Sequence, residues 1–166
     1  ISFNKYNEDY QQIKILPLNE KIIDSKTLIN STNKFIITTK SKNNLFIFYK
    51  FFNNTKNTIF FKLTDINKTY LFNFEKGLIE IEDLTPDKPW CALTSQSLNN
   101  LFTSGYGYDA LIIGGRFEAN KAGLNSLNKI FKFQAKNYQN IYYNFNCIFN
   151  NFFKKFFGTS QIFHKR

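Results

Sequence analysis

The chain has 166 residues, of which 43% are hydrophobic and 19% aromatic, and its formal net charge is +10. This aromatic content excludes a disordered chain, and the length favours a single globular domain. No apolar run approaches the ~18 residues that a membrane-spanning helix needs, and the polar first residues predict no secretory signal. Two cysteines, Cys91 and Cys147, are too few for a disulfide framework and favour a reducing compartment. We expect a soluble cytoplasmic protein, with the mitochondrial matrix as the alternative.

Two features of the composition limit what the charge can mean. The chain starts at Ile1 and contains no methionine, so we expect a processed chain or a piece of a longer protein. It holds 20 Lys, 2 Arg and 23 Asn, which indicates a genome rich in A and T. The charge is nevertheless uneven, because residues 1–118 carry a net +2 while residues 119–166 contain no acid and carry +8.

The first half of the chain predicts one helix followed by strands. The helix is expected after Pro17, where apolar residues are loosely spaced along one side: Leu18, Ile22, Ile23 and Leu28. Residues 35–37 and 45–52 are β-branched and aromatic, which favours strands. Apolar and polar residues then alternate in three further segments, which predicts an antiparallel meander with a hairpin turn at 75–77; the segments are 59–64, 70–74 and 79–82.

The second half predicts two short strands among helices. An apolar strand at 90–94 precedes Ser95, which we expect to cap a helix. The apolar face of that helix is formed by Leu98, Leu101 and Phe102. Asp109 is expected to cap a short second helix, residues 116–119 predict a strand, and Gly123 is expected to open a closing helix.

These elements predict an α+β fold with a mostly antiparallel sheet of five to six strands covered by helices. We expect residues 1–137 to form one domain, with 138–166 as a basic aromatic extension packed on it. Trp90 is expected in the core. Some strands are apolar on both faces, which either a second layer of helices or a cavity for a lipid would explain. The residues on the face in question are Phe46, Phe48, Phe52 and Phe60.

Catalytic signatures are missing from the sequence. Metal or nucleophilic catalysis by histidine would depend on His164, which lies near the end of the chain. No glycine-rich phosphate loop opens a helix. The acids Glu80, Glu82 and Asp83 fit a solvated strand face better than an acid–base pair. We expect no catalysis by this chain alone and no cofactor.

One segment carries a family resemblance. It reads CALTSQSLNNLFTSGYGYDALIIGGRFEAN from Cys91 to Asn120 and is followed by GLNSLNKIF from Gly123 to Phe131. This layout resembles sterol-carrier-protein-type domains, where a strand, a small helix, a turn ending in Gly-Arg or a similar pair, a strand and a closing helix follow one another. It is similar above all to the version fused behind the metallo-β-lactamase-fold domain of some bacterial hydrolases. The matching residues are Leu101, Phe102, Tyr106, Gly107, Tyr108, Asp109, Leu111, Gly115, Arg116 and Phe117.

The resemblance covers about residues 20–137 and implies an accessory domain. Such a domain forms a cavity for apolar chains between helices and sheet, and it presents substrate to the upstream catalytic domain or holds an oligomer together. The His-x-His-x-Asp-His signature of that catalytic domain is absent, so no catalytic or metal-binding residue carries over. The candidate ligand-binding residues are Phe46, Phe48, Phe60, Phe102, Tyr106, Tyr108 and Arg116.

Arg116 is one of only two arginines. Its planar guanidinium could clamp a carboxylate or sulfate head group. Alternatively, it pairs with Asp109 or binds a carbonyl and so fixes the glycine-rich turn. The residue type alone leaves both interpretations open.

Other functions compete with ligand binding. The AT-biased coding and the acid-free last third also suit an organelle-encoded, RNA-contacting subunit of a large assembly such as a mitochondrial ribosome. The segment 142–166 could pack on the sheet, lie on an anionic membrane or stack on single-stranded nucleic acid. A purely structural dimerisation domain is a third class.

Overall fold

The computed structural model describes residues 21–43, 58–82 and 87–142. Within them the elements follow the order helix, four strands, two helices, strand, two helices. In chain order they are α1 (Ser25–Lys42), β1 (Ile59–Leu63), β2 (Lys68–Asn73), β3 (Gly77–Ile81), β4 (Trp90–Leu93), α2 (Ser95–Thr103), α3 (Gly107–Gly114), β5 (Glu118–Ala119), α4 (Lys121–Phe131) and α5 (Gln134–Tyr138).

The strands form one five-stranded sheet in the order β3-β2-β1-β4-β5. The first three make an antiparallel meander, β4 pairs parallel with β1, and β5 pairs antiparallel with β4. The α+β class and the mostly antiparallel five-stranded sheet are therefore confirmed, with one parallel pair added. In this order β3 and β4 lie on opposite sides of the β2–β1 pair. The chain therefore crosses from one side of that pair to the other between β3 and β4, and no hairpin joins the parallel neighbours β1 and β4.

One face of the sheet carries the core. Along β1, Ile59, Phe61 and Leu63 are buried, whereas Phe60 and Lys62 between them are not. The register places Ile59 beside Phe72 and Phe61 beside Tyr70, so that buried side chains of neighbouring strands share this face. In β1, the residues that the sequence pattern predicts to alternate therefore point in turn to the helix-covered face of the sheet and to the opposite face.

Aromatic rings join the helices to this face. The Phe72 ring lies 5.2 Å from that of Phe102 on α2 and 5.7 Å from that of Phe131 on α4, between ring centres. Phe35 of α1 lies 5.5 Å from Phe102 and 5.7 Å from Phe131. Three helices and the sheet therefore share one hydrophobic cluster, which is the packing expected of a single domain.

Helix α1 corrects two predictions. It begins at Ser25 rather than after Pro17, because the Asp24 carboxylate accepts a hydrogen bond from Thr27 N at 2.9 Å and caps it there. Residues 35–37, expected as a strand, lie inside this helix. The buried stripe that anchors it consists of Leu28, Thr32, Ile36 and Thr39. Thr32 can be buried because its hydroxyl donates to the Leu28 carbonyl at 2.8 Å.

The other expected caps lie one position away or elsewhere. Thr94, not Ser95, caps α2, and its side chain accepts from Ser97 N. Tyr106 occupies the N-cap position of α3 without a side-chain hydrogen bond, so Asp109 sits in the first turn instead of capping it. Asn120 caps α4 by accepting from Gly123 N at 2.6 Å.

The expectation that Trp90 lies in the core is wrong, and two other predictions fall on residues that the structure does not describe. Trp90 is only half-buried, because it lies at the start of β4 on the face away from the helices. The strand expected at 45–52 and the extension beyond residue 142 lie outside the described residues.

Ser95 instead takes part in a hydrogen-bond network that connects three segments of the chain. The Asp65 carboxylate, in the turn after β1, accepts from Ser95 N at 2.9 and 3.0 Å and from the Ser95 hydroxyl. Ser95 Oγ in turn accepts from Ile23 N at 2.8 Å, just before α1. Since Ser95 is fully buried, this network satisfies polar groups at the start of α2 that water cannot reach.

Within the described ranges, none of the helices combines the length and the apolar character needed to cross a membrane.

Candidate binding groove

A groove of about 370 Å³ lies between α1, the end of α2 and α5. This volume is at the small end of the range of about 300–1,000 Å³ typical of small-molecule sites. The lining residues come from three separate parts of the chain: Ser31, Lys34, Phe35, Thr38, Thr39, Lys42, Phe102, Thr103, Ser104, Gly105, Phe133, Gln134, Asn137 and Tyr138. A concave site assembled in this way is the natural place to look for ligand binding.

Aromatic side chains give the groove its apolar wall. Phe102 and Phe133 belong to the core and are at most 5% exposed, while Phe35 is half-buried between them. The Phe35 ring lies 5.5 Å from Phe102 and 6.4 Å from Phe133, between ring centres. This wall suits an alkyl or aryl group, because contact with it removes apolar surface from water.

The polar side of the groove is cationic. Lys34 and Lys42 line it from α1, and both are exposed. The Lys42 ammonium lies 5.6 Å from the centre of the Tyr142 ring, a cation–π distance. None of the described residues that line the groove is acidic. An anionic group at this edge would therefore be attracted without competition from a carboxylate.

Gln134 holds the helices around the groove in position. Its Oε1 accepts from the backbone N–H of Tyr108 at 2.8 Å, and its Nε2 donates to the carbonyl of Leu101 at 2.6 Å. The buried amide thus links α2, α3 and α5 and has both ends occupied. Its role is structural, because replacing it would leave two backbone groups without partners.

Asn137, one turn further along, differs from Gln134. Its side-chain oxygen Oδ1 is buried and has no hydrogen-bond partner within the part of the chain that the structure describes. Its backbone groups are satisfied, since Asn137 N donates to the Phe133 carbonyl at 3.0 Å and its carbonyl accepts from Asn140 N at 3.1 Å. Asn137 therefore carries one buried acceptor that lacks a donor among the described residues.

Tyr138 closes the end of the groove. A Cβ atom at Gly105 would fall 2.0 Å from Cδ2 of Tyr138, so glycine permits the ring to lie directly against the backbone. On its other side Tyr138 meets Tyr106, with 4.8 Å between ring centres and an edge-to-face arrangement.

The structure separates the residues that the sequence analysis grouped as ligand-binding. Phe102 lines the groove, and Tyr106 reaches it only through Tyr138. Tyr108 is half-buried in α3, where burial and then the nearby Asp109 charge raise the pKa of its phenol. Arg116 is exposed after α3, and Phe60 lies on the opposite sheet face. Phe46 and Phe48 lie outside the described residues.

Four residues that line the groove were not predicted from the sequence: Lys34, Phe35, Phe133 and Asn137. Lys34 and Phe35 were hidden because residues 35–37 were expected to form a strand. In the described ranges there is no group of three His, Cys, Asp or Glu side chains that could hold a metal ion. Glu80 pairs with Lys68 at 2.8 Å on the exposed edge of the sheet.

Comparison with known proteins adds no relative: no protein-family model and no curated protein sequence matches the chain.

Cys91 offers a test of the core that depends on pH. It is a buried free thiol on β4, and burial raises its pKa from 9.0 to about 12. Above pH 9 the unfolded chain loses this proton before the folded protein does, so the free energy of unfolding falls as the pH rises towards 12. We expect a loss of up to ~1.4 kcal/mol per pH unit in that window and none below it.

Urea unfolding of the wild type and of Cys91→Ala over this pH range measures the effect. Tyrosine and lysine groups titrate there too, so the variant supplies the reference slope. If the free energy of unfolding fell with pH at the same rate in both proteins, burial would not be keeping the Cys91 thiol protonated in the folded state, and the prediction would be wrong.

Proposed function

We propose that this chain is a non-catalytic accessory domain of the sterol-carrier type, belonging to a metallo-β-lactamase-fold hydrolase, and that its groove binds an amphipathic anionic molecule. One observation carries the binding part of the proposal. The groove combines a wall of Phe35, Phe102 and Phe133 with an edge formed by Lys34 and Lys42, and its described lining has no acid. An apolar chain with an anionic head group matches both sides.

The element order supports the family part of the proposal. An opening helix, antiparallel strands, a further strand, a helix, a glycine-rich turn, a short strand and a closing helix follow one another, as the resemblance implies. Residues 91–131, which carry the resemblance, supply β4, α2, α3, β5 and α4. In this arrangement α1, α2 and α4 cover one face of the sheet.

Calorimetric titration tests the binding part. We expect saturable binding of octyl sulfate and much weaker binding of the neutral octyl glucoside. Lys34→Gln and Lys42→Gln should each weaken the binding of octyl sulfate roughly tenfold, since a hydrogen bond to a charged group contributes about 1.5–3 kcal/mol. Lys40→Gln is the matched control, because Lys40 is exposed on the same helix and does not line the groove.

Two results would contradict the proposal. Octyl sulfate that fails to saturate the protein would remove the binding function. Equal affinity for the charged and neutral detergents would leave an apolar site without the anionic preference. The link to a hydrolase is tested separately, by sequencing the DNA upstream of the Ile1 codon and looking for an open frame that encodes a His-x-His-x-Asp-His run.

The distribution of lysines supports RNA binding as a second candidate. Helix α1 and residues 121–138 each contain four lysines and no acid, and all eight lysines are exposed. Contact with RNA phosphates would release counterions and make binding steeply dependent on salt. Failure to retain RNA at ~50 mM salt would count heavily against this function.

A further inference from the structure

We propose that α3 docks the protein on an anionic lipid bilayer, with the Ile113 side chain inserted among the lipid headgroups. The surface in question consists of the N-cap and three exposed residues of α3, and we call it the α3 surface: Tyr106, Ala110, Ile112 and Ile113. None of these four residues lines the groove. The inference therefore gives the chain a partner that the proposed function does not include.

Helix α3 is apolar on the side that faces solvent as well as on the side that faces the core. Leu111 is buried, whereas Ile112 is exposed and Ile113 is 85% exposed. A helix that is apolar all round is normally covered on every side, by the rest of a protein or by lipid. Contact with lipid would remove the surface of both isoleucines from water, which nucleic acid, with its bases for stacking, does less well.

The exposed residues of the α3 surface form a continuous stripe. Tyr106, Ala110 and Ile113 follow at intervals of four and three, which places them along one side of the helix. Consistent with this, Ala110 N donates to the Tyr106 carbonyl at 2.9 Å. The Tyr106 ring also meets the exposed Tyr138 ring, with 4.8 Å between ring centres. Tyrosine favours the boundary between water and lipid, so these two rings suit the outer part of the contact.

The last turn of α3 protrudes from the described part of the structure. Apart from the adjoining chain, a Cβ atom added at Gly115 would have nothing within 4 Å, and one at Gly114 would meet only Arg116 Cγ, at 3.9 Å. Ile113 directly precedes these glycines, so it can enter a bilayer while the core elements stay in place. A stable protein–protein interface involves about 20–30 residues on each side, far more than this turn offers, whereas a fluid bilayer moulds itself around a single side chain.

The charge near the α3 surface favours an anionic partner. Residues 110–142 carry five cations and a single acid. Lys136 lies on α5, which contacts α3, and Lys42 lines the groove together with Tyr138. Asp109 is the only acid of α3, and it is half-buried in the first turn, where the helix dipole favours a negative charge. An exposed apolar stripe beside cations binds anionic bilayers, because contact with acyl chains and charge attraction act together.

Co-sedimentation of the full chain with vesicles tests the proposal, using phosphatidylcholine alone or mixed equally with phosphatidylserine. We expect the wild type to bind the mixed vesicles about tenfold more tightly than the neutral ones, and to lose this preference as salt screens the charges. Binding to neither vesicle, or equal affinity for both, would overturn the inference. Neither result affects the proposed function, because the titration with octyl sulfate contains no vesicles.

Variants assign the binding to α3. Ile113→Asn should weaken binding to the mixed vesicles about tenfold, because the isoleucine side chain is no longer withdrawn from water. Ile22→Asn is the matched control and should change the affinity less than about twofold. Ile22 is 62% exposed, and the hydrogen bonds of its neighbours place it at the start of α2, whereas α3 follows the end of that helix. Equal affinities for the wild type and Ile113→Asn would show that another surface binds the lipid, and the inference would be wrong.

A second copy of the chain is the competing occupant of the α3 surface. Light scattering without vesicles distinguishes the two, and we expect the same monomeric mass for the wild type and Ile113→Asn. A wild-type dimer that Ile113→Asn converts into a monomer would assign this surface to self-association and overturn the docking on lipid.

Discussion

Gly123→Ala is expected to lower the free energy of unfolding by about 3 kcal/mol or more, at the upper end of what overpacking costs. A Cβ at this position would lie 1.9 Å from the carbonyl oxygen of Trp90 and 2.7 Å from its carbonyl carbon. These are backbone atoms of β4, which pairs with β1 on one side and β5 on the other. The strand cannot move away without loss of that pairing, so α4 must shift instead.

Urea unfolding followed by circular dichroism measures this effect, with Gly114→Ala as the matched control. Gly114 ends α3, is exposed, and has only the Arg116 side chain within 4 Å of a new Cβ, at 3.9 Å. Alanine should leave stability unchanged there or raise it by up to ~1 kcal/mol, because it favours helix over glycine. A midpoint for Gly123→Ala equal to that of the wild type would mean that α4 does not sit this close to β4.

Phe61→Ala is expected to destabilise the protein by about 3–5 kcal/mol, the usual cost of truncating a buried phenylalanine. The Phe61 side chain is fully buried, and its ring lies 6.3–6.5 Å from the rings of Phe72, Phe102 and Phe131, between centres. The cavity would open at the point where α2 and α4 meet the sheet. The surrounding residues cannot readily move in to fill this cavity, because β1 is hydrogen-bonded to β2 on one side and to β4 on the other.

Phe60→Ala is the control on the adjacent residue. Phe60 lies half-buried on the opposite sheet face, so the loss of stability should be less than half as large. The same variant examines the sequence-based hypothesis that Phe60 contacts the ligand. Unchanged affinity for octyl sulfate is expected, because Phe60 does not line the groove. Comparable losses of stability in the two variants would contradict the assignment of the sheet faces.

Strands β1 and β2 could be predicted from sequence because they are buried on one face only, and every second side chain points towards the helices. In β3 the predicted alternation is wrong, because Leu78 is buried on the core face while Ile79 lies exposed on the other. Helix α1 could not be predicted in the same way. Two of the four buried residues in its stripe, Thr32 and Thr39, are polar, so the helical period of apolar residues is masked. The Thr32 hydroxyl satisfies its burial locally by donating to the Leu28 carbonyl.

The groove was harder to predict than the fold. Phe102 was identified because it belongs to the segment that resembles a known family. Lys34 and Asn137 are surrounded by unremarkable sequence, and only the folded arrangement of α1, α2 and α5 around the groove brings them together. In addition, a lysine-rich chain offers many candidate cations, so composition could not distinguish Lys34 and Lys42 from the other eighteen lysines.

The strand order limits how copies of this chain can associate. In the described part of the chain the sheet ends at β3 and β5. Only two residues form β5, so this edge is a poor template for adding another strand, whereas β3 has five residues. Growth of the sheet from chain to chain at the β5 edge is therefore disfavoured.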